Sequence, residues 1–249
     1  MAENERLDVY LVCNARYHDT NFARLELLKL LAEHEDINTR VAHDFSDVKG
    51  ISKSRLLITY TCDLQPTLQQ QQALGEFLQA GGRWFALHAT NALLEFVDGK
   101  ADTPDRAPEF MRLLGSRFVA HPPNQKISIR VTDVAHPLTA GLSDFEVEDE
   151  EPYYCEPLGE QLVLLEASYQ MPSTGYVRSD YGTDRANHPQ MYLHPWGDGQ
   201  VLYLSLGHCT GKHDMKPLAD IVPVIRGSWN SSTYYELLRR GIRWGVGQL

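Results

Sequence analysis

Three histidines each follow a short apolar run of strand-forming residues. His18 comes after Leu7–Cys13, His88 directly after Arg83–Leu87, and His208 after Gln200–Ser205. Imidazole carries protons near neutral pH and is a common metal ligand. In open α/β sheets the ligand side lies beyond the carboxyl ends of the strands. If these runs are neighbouring parallel strands, the three histidines share one rim. A single histidine after a strand is usually a loop residue bonded to nearby backbone. Three converging on one rim exceed what a sheet edge needs. His18, His88 and His208 could then hold a divalent metal ion, zinc or a similar one, or relay protons.

Other polar residues fall on the same rim. Arg16, Tyr17 and Asp19 flank His18, Thr59 to Cys62 end the third apolar run, and Thr90 and Asn91 follow His88. The acidic run Glu146–Glu151, with Tyr153 and Tyr154 beside it, has two readings. It is a solvated turn, or it sends a carboxylate into the cleft. A carboxylate among histidines binds metal or shares acid–base work. His-Pro occurs four times, at His121, His136, His188 and His194. Proline biases the residue before it toward extended backbone, so most of these are turns. His121 stands out because it closes Leu114–His121 ahead of a Pro-Pro loop.

Strand, then Leu87-His88-Ala89, then an apparent helix is the layout of a nucleophile elbow. No thiol stands at this turn, so thioester chemistry there is excluded. Cys62 and Cys209 lie near the rim but in no G-x-C-x-G turn, and read as packing or lining residues. Together with Cys13 and Cys155 they are widely spaced, which argues against a disulfide framework or a zinc knuckle.

The elements that must position these residues follow from periodicity. Apolar residues at Phe22, Leu25, Leu28 and Leu31 predict a helix from Thr20 to about His34. Asn38–His43 and Arg55–Tyr60 read as strands. Thr67–Ala80 reads as a helix stopped by Gly81-Gly82. Asp98–Pro108 reads as a loop. Lys126–Val131, Gln161–Ala167 and Gln190–Leu193 read as further strands, and Ser232–Val246 as a closing helix. Strands alternating with helices predict a mostly parallel sheet covered on both faces. The 249 residues show no repeat or linker and are read as one domain, 1–249.

The net charge of −10 argues against nucleic acid as a partner. No apolar run reaches the ~18 residues a membrane helix needs. The polar start Met1–Arg6 lacks a leader's apolar stretch, so the expected compartment is the cytoplasm, with reduced cysteines. Assembly as a homo-oligomer is left open.

The motifs together resemble one known family. They comprise Arg16-Tyr17-His18-Asp19, the segment Gly82 to Ala89 around His88, and Leu114-Gly115-Ser116-Arg117-Phe118 running to His121-Pro122. His136-Pro137-Leu138 with Gly141-Leu142, then Asp149-Glu150-Glu151-Pro152-Tyr153, continue the pattern. Gly197 to His208 and Leu237 to Trp244 complete it, in order, over nearly the whole chain. This chain resembles the ThuA-like, trehalose-utilisation family. Gln200 replaces the usual Arg, and Tyr192 stands where Trp is common. The acidic motif can be set with Glu150 or Glu151 as its second carboxylate; Glu151 is taken for the site.

The resemblance implies a flavodoxin-like, class I glutamine amidotransferase-like three-layer sandwich without the amidotransferase cysteine. It implies sugar catabolism, with a carbohydrate as the small-molecule substrate. The expected enzyme is an isomerase, lyase or hydrolase acting on a keto-glycoside or disaccharide, not a glutamine amidotransferase. His18, His88, His208 and Glu151 are the expected catalytic residues. Tyr17, Tyr60, Asn91, His121 and Tyr153 are expected to bind substrate, and Trp196 is a further candidate for stacking on a sugar. The competing reading is a non-catalytic sugar-binding or regulatory module.

Overall fold

The computed structural model describes residues 6–249; the expectation about Met1–Glu5 lies outside them. The first half alternates strictly. The strands are β1 (Leu7–Ala15), β2 (Ile37–Ala42), β3 (Leu56–Cys62) and β4 (Arg83–Leu87). Between them lie the helices α1 (Thr20–Leu31), α2 (Val48–Lys53) and α3 (Leu68–Gln79). Asp19 caps α1 by accepting the Phe22 N–H, and Thr67 and Gln70 close a capping box on α3. A short hairpin, β5 (Glu95–Val97) and β6 (Lys100–Asp102), precedes α4 (Pro108–Leu114) and β7 (Ser116–Ala120). Then come β8 (Gln125–Val131), β9 (Phe145–Glu150), β10 (Tyr154–Pro157), β11 (Leu162–Ser168), β12 (Asn187–Trp196) and β13 (Gly199–Leu204), with α5 (Ser232–Val246) last.

Nine strands form the central sheet in the order β2-β1-β3-β4-β13-β12-β11-β8-β9. The end from β2 to β13 is parallel, and the end from β13 to β9 is antiparallel. Side chains alternate across the parallel end. Val9, Leu11 and Cys13 join Ile58 and Phe85 under α1 and α5, with Leu27, Leu238 and Ile242. Tyr10 and Val12 join Leu57 and Trp84 on the opposite face, under α3 and α4, with Leu74, Phe77 and Phe110. Two cores on two faces make the three-layer sandwich.

Three expectations need correction. The segment after His88 is one 3-10 turn, His88–Asn91, rather than a longer helix. The stretch 98–108 contains strand β6. The run Glu146–Glu151 is mostly strand: Glu146 and Glu148 face solvent and pair with Lys126, while Val147 and Glu150 are buried. β9 is an edge strand, where one face can carry charge without cost to the core.

Candidate active site

β1, β3, β4 and β13 lie side by side and parallel, so their carboxyl ends share one rim. His18, His88 and His208 leave that rim together, and Glu151 reaches them from the end of β9. One ligand atom from each of the four lies within 4.8 Å of the other three. Local backbone aims these groups. Tyr17 and His88 hold positive φ values of 70° and 46°, a conformation that side-chain-bearing residues adopt only when surroundings impose it. Gly207, at φ 122°, has no room for a Cβ, which would lie 2.3 Å from the Tyr234 hydroxyl oxygen. The chain can therefore turn into His208 only through glycine.

The histidines are oriented by carbonyls. His18 Nδ1 lies 2.8 Å from the Arg16 carbonyl, and His88 Nδ1 lies 2.7 Å from that of Ser205. A carbonyl only accepts, so each Nδ1 carries the proton and each Nε2 points inward. The two Nε2 atoms are 3.0 Å apart. Two imidazole lone pairs at that distance repel unless positive charge lies between them. Glu151 faces the same point: Oε2 is 3.4 Å from His88 Nε2, and Oε1 is 3.1 Å from His208 Nδ1. That last contact is off the hydrogen-bonding direction, and His208 Nδ1 is buried without a hydrogen-bond partner.

The ionisation states agree with this geometry. Burial opposes the charge on His18, but its contacts with Cys62 and Glu151 outweigh that and push its pKa up to about 10. Burial lowers the pKa of His88 and of His208. Burial would raise Glu151, yet His121, His208 and His18 hold it well below the usual carboxylate range. The protein thus holds one proton on His18, shared toward His88, where a cation would sit. Three converging imidazoles, one of them carrying a proton that a cation would displace, with an ionised carboxylate and the unpartnered His208 Nδ1, fit a divalent metal such as zinc.

Above this cluster opens a cavity of about 270 Å³. Tyr17, His18, His121, Glu151 and Tyr153 line it. The Tyr153 hydroxyl lies 3.2 Å from His88 Nε2. His121 holds Nδ1 2.8 Å from the Pro122 carbonyl and Nε2 3.5 Å from Glu151.

Two expected substrate contacts are not on the wall. Tyr60 is fully buried and donates to the Gly207 carbonyl at 2.9 Å, so it braces the His208 turn. Asn91 is fully buried, donating to Ser116 and accepting from Tyr203. Trp196 ends β12 opposite Gly199, at the other end of the sheet, and cannot meet a sugar in this cavity. Cys62 and Cys209 are free, as are Cys13 and Cys155. Cys62 lines the cavity, while Cys209 packs beside Tyr60.

Glu150, the alternative second carboxylate of the acidic motif, has a different place. It lies wholly in the interior, where it accepts the backbone N–H groups of Gly207, His208 and Ser228. It thereby fixes the turn carrying His208. The sequence reading missed Phe96, Phe118, Tyr176, Met215 and Leu218 on the cavity wall. Tyr176 lies in a loop with no periodicity to mark it, and Met215 and Leu218 lie in another.

Comparison with known proteins agrees with this architecture. A family model described as ThuA, trehalose utilisation, matches residues 9–222. The chain belongs to the ThuA family. A solved ThuA-like protein from Bacteroides uniformis aligns over 98% of this chain and 92% of its own, with 19% identity and a TM-score of 0.67. One from Parabacteroides merdae aligns over the same shares, 98% and 92%, with 16% identity and a TM-score of 0.68. The cold-adapted beta-galactosidase of Rahnella sp. R3 shares the fold over 82% of this chain and 29% of its own, at 18% identity and a TM-score of 0.54. No curated protein sequence matches the chain. Among the described residues, no helix is long and apolar enough to cross a membrane.

Proposed function

We propose that this ThuA-family protein is a sugar-catabolism enzyme that acts on an oxidised (keto) glycoside through metal-assisted acid–base chemistry. The observation that carries the reading is the convergence of His18, His88, His208 and ionised Glu151 beneath a cavity with aromatic walls. His18, His88, Glu151 and His208 would hold the ion. A divalent ion, when bound, supplies a Lewis acid that polarises the keto group.

The remaining work falls to the chain's own side chains. His121 Nδ1 is occupied by the Pro122 carbonyl, which leaves Nε2 free to take a proton from the carbon beside the keto group. The Tyr17 hydroxyl is buried without a partner and can donate to a sugar oxygen. Phe118 lines the cavity beside Tyr153, 4.4 Å between ring centroids, and gives it apolar surface for the C–H side of a sugar ring. The enolate left when that proton is lost either takes a proton back at another carbon, which isomerises the sugar, or expels the glycosidic oxygen, which leaves as an alcohol with a proton and yields an enone able to add water. The cytoplasm is the compartment consistent with this role.

Metal analysis of purified protein, followed by NMR of product formation from sugars and keto-sugars, tests the proposal. Stoichiometric metal with turnover of a keto-sugar supports it. Binding without turnover would instead favour a sugar-binding module, and absence of both would refute it.

A further inference from the structure

The cavity wall is divided by polarity. Its inner part holds His18, His121, Glu151 and the hydroxyls of Tyr17 and Tyr153. Tyr176 packs against His121, 5.2 Å between ring centroids, and belongs to the inner part; the outer part is built from Leu94, Phe96, Ala101, Met215 and Leu218. The backbone of this outer part has few free groups. Ala101 N–H donates to the Gly175 carbonyl, and the Ala101 carbonyl accepts from Val177 N–H, each at 2.9 Å. None of these five outer lining side chains carries a hydroxyl, amide or charged group. Apolar surface continues outside: Phe96 is 42% exposed, Leu218 51%, and Val97 and Val177 are similarly open.

A second sugar ring placed in the outer part would bring several hydroxyls against this wall. Each hydroxyl removed from water without a partner weakens binding. An aryl or alkyl group in the same place loses nothing and gains burial. Phe96 already meets the Tyr17 ring edge-on at 6.2 Å, which leaves an aromatic corner for a further ring.

Building on the proposed reaction, we infer that the substrate is a keto-glycoside with an apolar, aryl-type aglycone. The inner wall takes the single oxidised sugar ring, and the outer wall takes the aglycone. Disaccharides fit the inner wall only through one ring and leave the other unmatched.

The test measures calorimetric binding of three ligands to the metal-loaded protein: the oxidised forms of phenyl glucoside, methyl glucoside and a glucose disaccharide. Phenyl should bind about 10- to 100-fold tighter than methyl, from the burial of one ring. The disaccharide should bind no tighter than methyl. Phe96→Ser with Leu218→Ser, both at exposed positions, should bring the phenyl-to-methyl ratio toward one. A thermal melt checks that the double variant is folded, and Met215→Ser replaces it if it is not. A disaccharide that binds as tightly as phenyl, or a ratio unchanged in the folded variant, overturns the aglycone inference and leaves the proposed reaction standing. Failure of all three glycosides to bind overturns both.

Discussion

Glu150→Gln and Glu151→Gln remove neighbouring carboxylates with opposite expected consequences. Glu150 Oε1 accepts the His208 N–H at 2.9 Å and the Glu151 N–H at 3.2 Å. Oε2 accepts the Gly207 and Ser228 N–H groups at 3.2 and 3.0 Å, together with the Ser228 hydroxyl. A glutamine has only one accepting oxygen. Whichever way its amide is turned, two backbone N–H groups face an NH₂ donor. Each buried orphan costs about 1–3 kcal/mol, so the variant should lose about 2–6 kcal/mol. That is a large part of the roughly 5–15 kcal/mol that holds a domain together. At about 2–4 °C per kcal/mol for a chain of this size, the melting temperature falls by about 4–24 °C. Among the described residues Glu151 accepts no backbone hydrogen bond, and in its absence His18 can release its proton. Glu151→Gln should therefore melt close to the parent in metal-free protein yet lose stoichiometric zinc. Urea unfolding of EDTA-treated proteins and metal analysis of loaded ones give the two numbers. Equal stability of parent and Glu150→Gln, or a larger stability loss in Glu151→Gln, would refute the division of labour.

Three further outcomes follow from the same geometry. His121→Ala should lower keto-sugar turnover by about 10²–10⁴-fold while zinc content stays stoichiometric; a proportionate loss of zinc would make His121 a ligand rather than a base. Gly207→Ala should unfold more easily and bind zinc more weakly, because its Cβ would strike the Tyr234 hydroxyl, and an unchanged melt would show that the turn adapts. Burial raises the thiols of Cys13 and Cys209 from an ordinary 9.0 to about 12, so their contribution to stability is complete below pH 9 and is lost as pH climbs toward 12. The two together remove up to about 2.7 kcal/mol per pH unit in that window; urea midpoints that stay flat from pH 9 to 11 would contradict it.

The parallel half of the molecule was legible because its signals are local. Apolar runs near Leu7, Arg55 and Arg83, separated by amphipathic helices, specify parallel neighbours, and parallel neighbours place their carboxyl ends together. Hence His18, His88 and His208 could be grouped before any contact was known. The antiparallel half was less legible. β5 and β6 have three residues each, too few for a period to show, and β9 carries Glu146, Glu148 and Asp149 on a solvated edge.

Tyr60 and Asn91 show what the rim argument lacks. It tells which end of the sheet a residue occupies, but not whether its polar atom faces the cavity or the backbone behind it. Tyr60 bonds the Gly207 carbonyl, and Asn91 bonds Ser116 and Tyr203. Both serve the loops that hold the histidines. The same limit governs His88. On sequence it is a rim residue, yet it is 1% exposed and packed between the rings of Tyr60 and Tyr153. Replacing it with alanine would remove a proposed ligand and leave a void together. His88→Asn, which keeps much of the volume, is therefore the substitution that isolates the chemistry of that nitrogen from the packing of the ring.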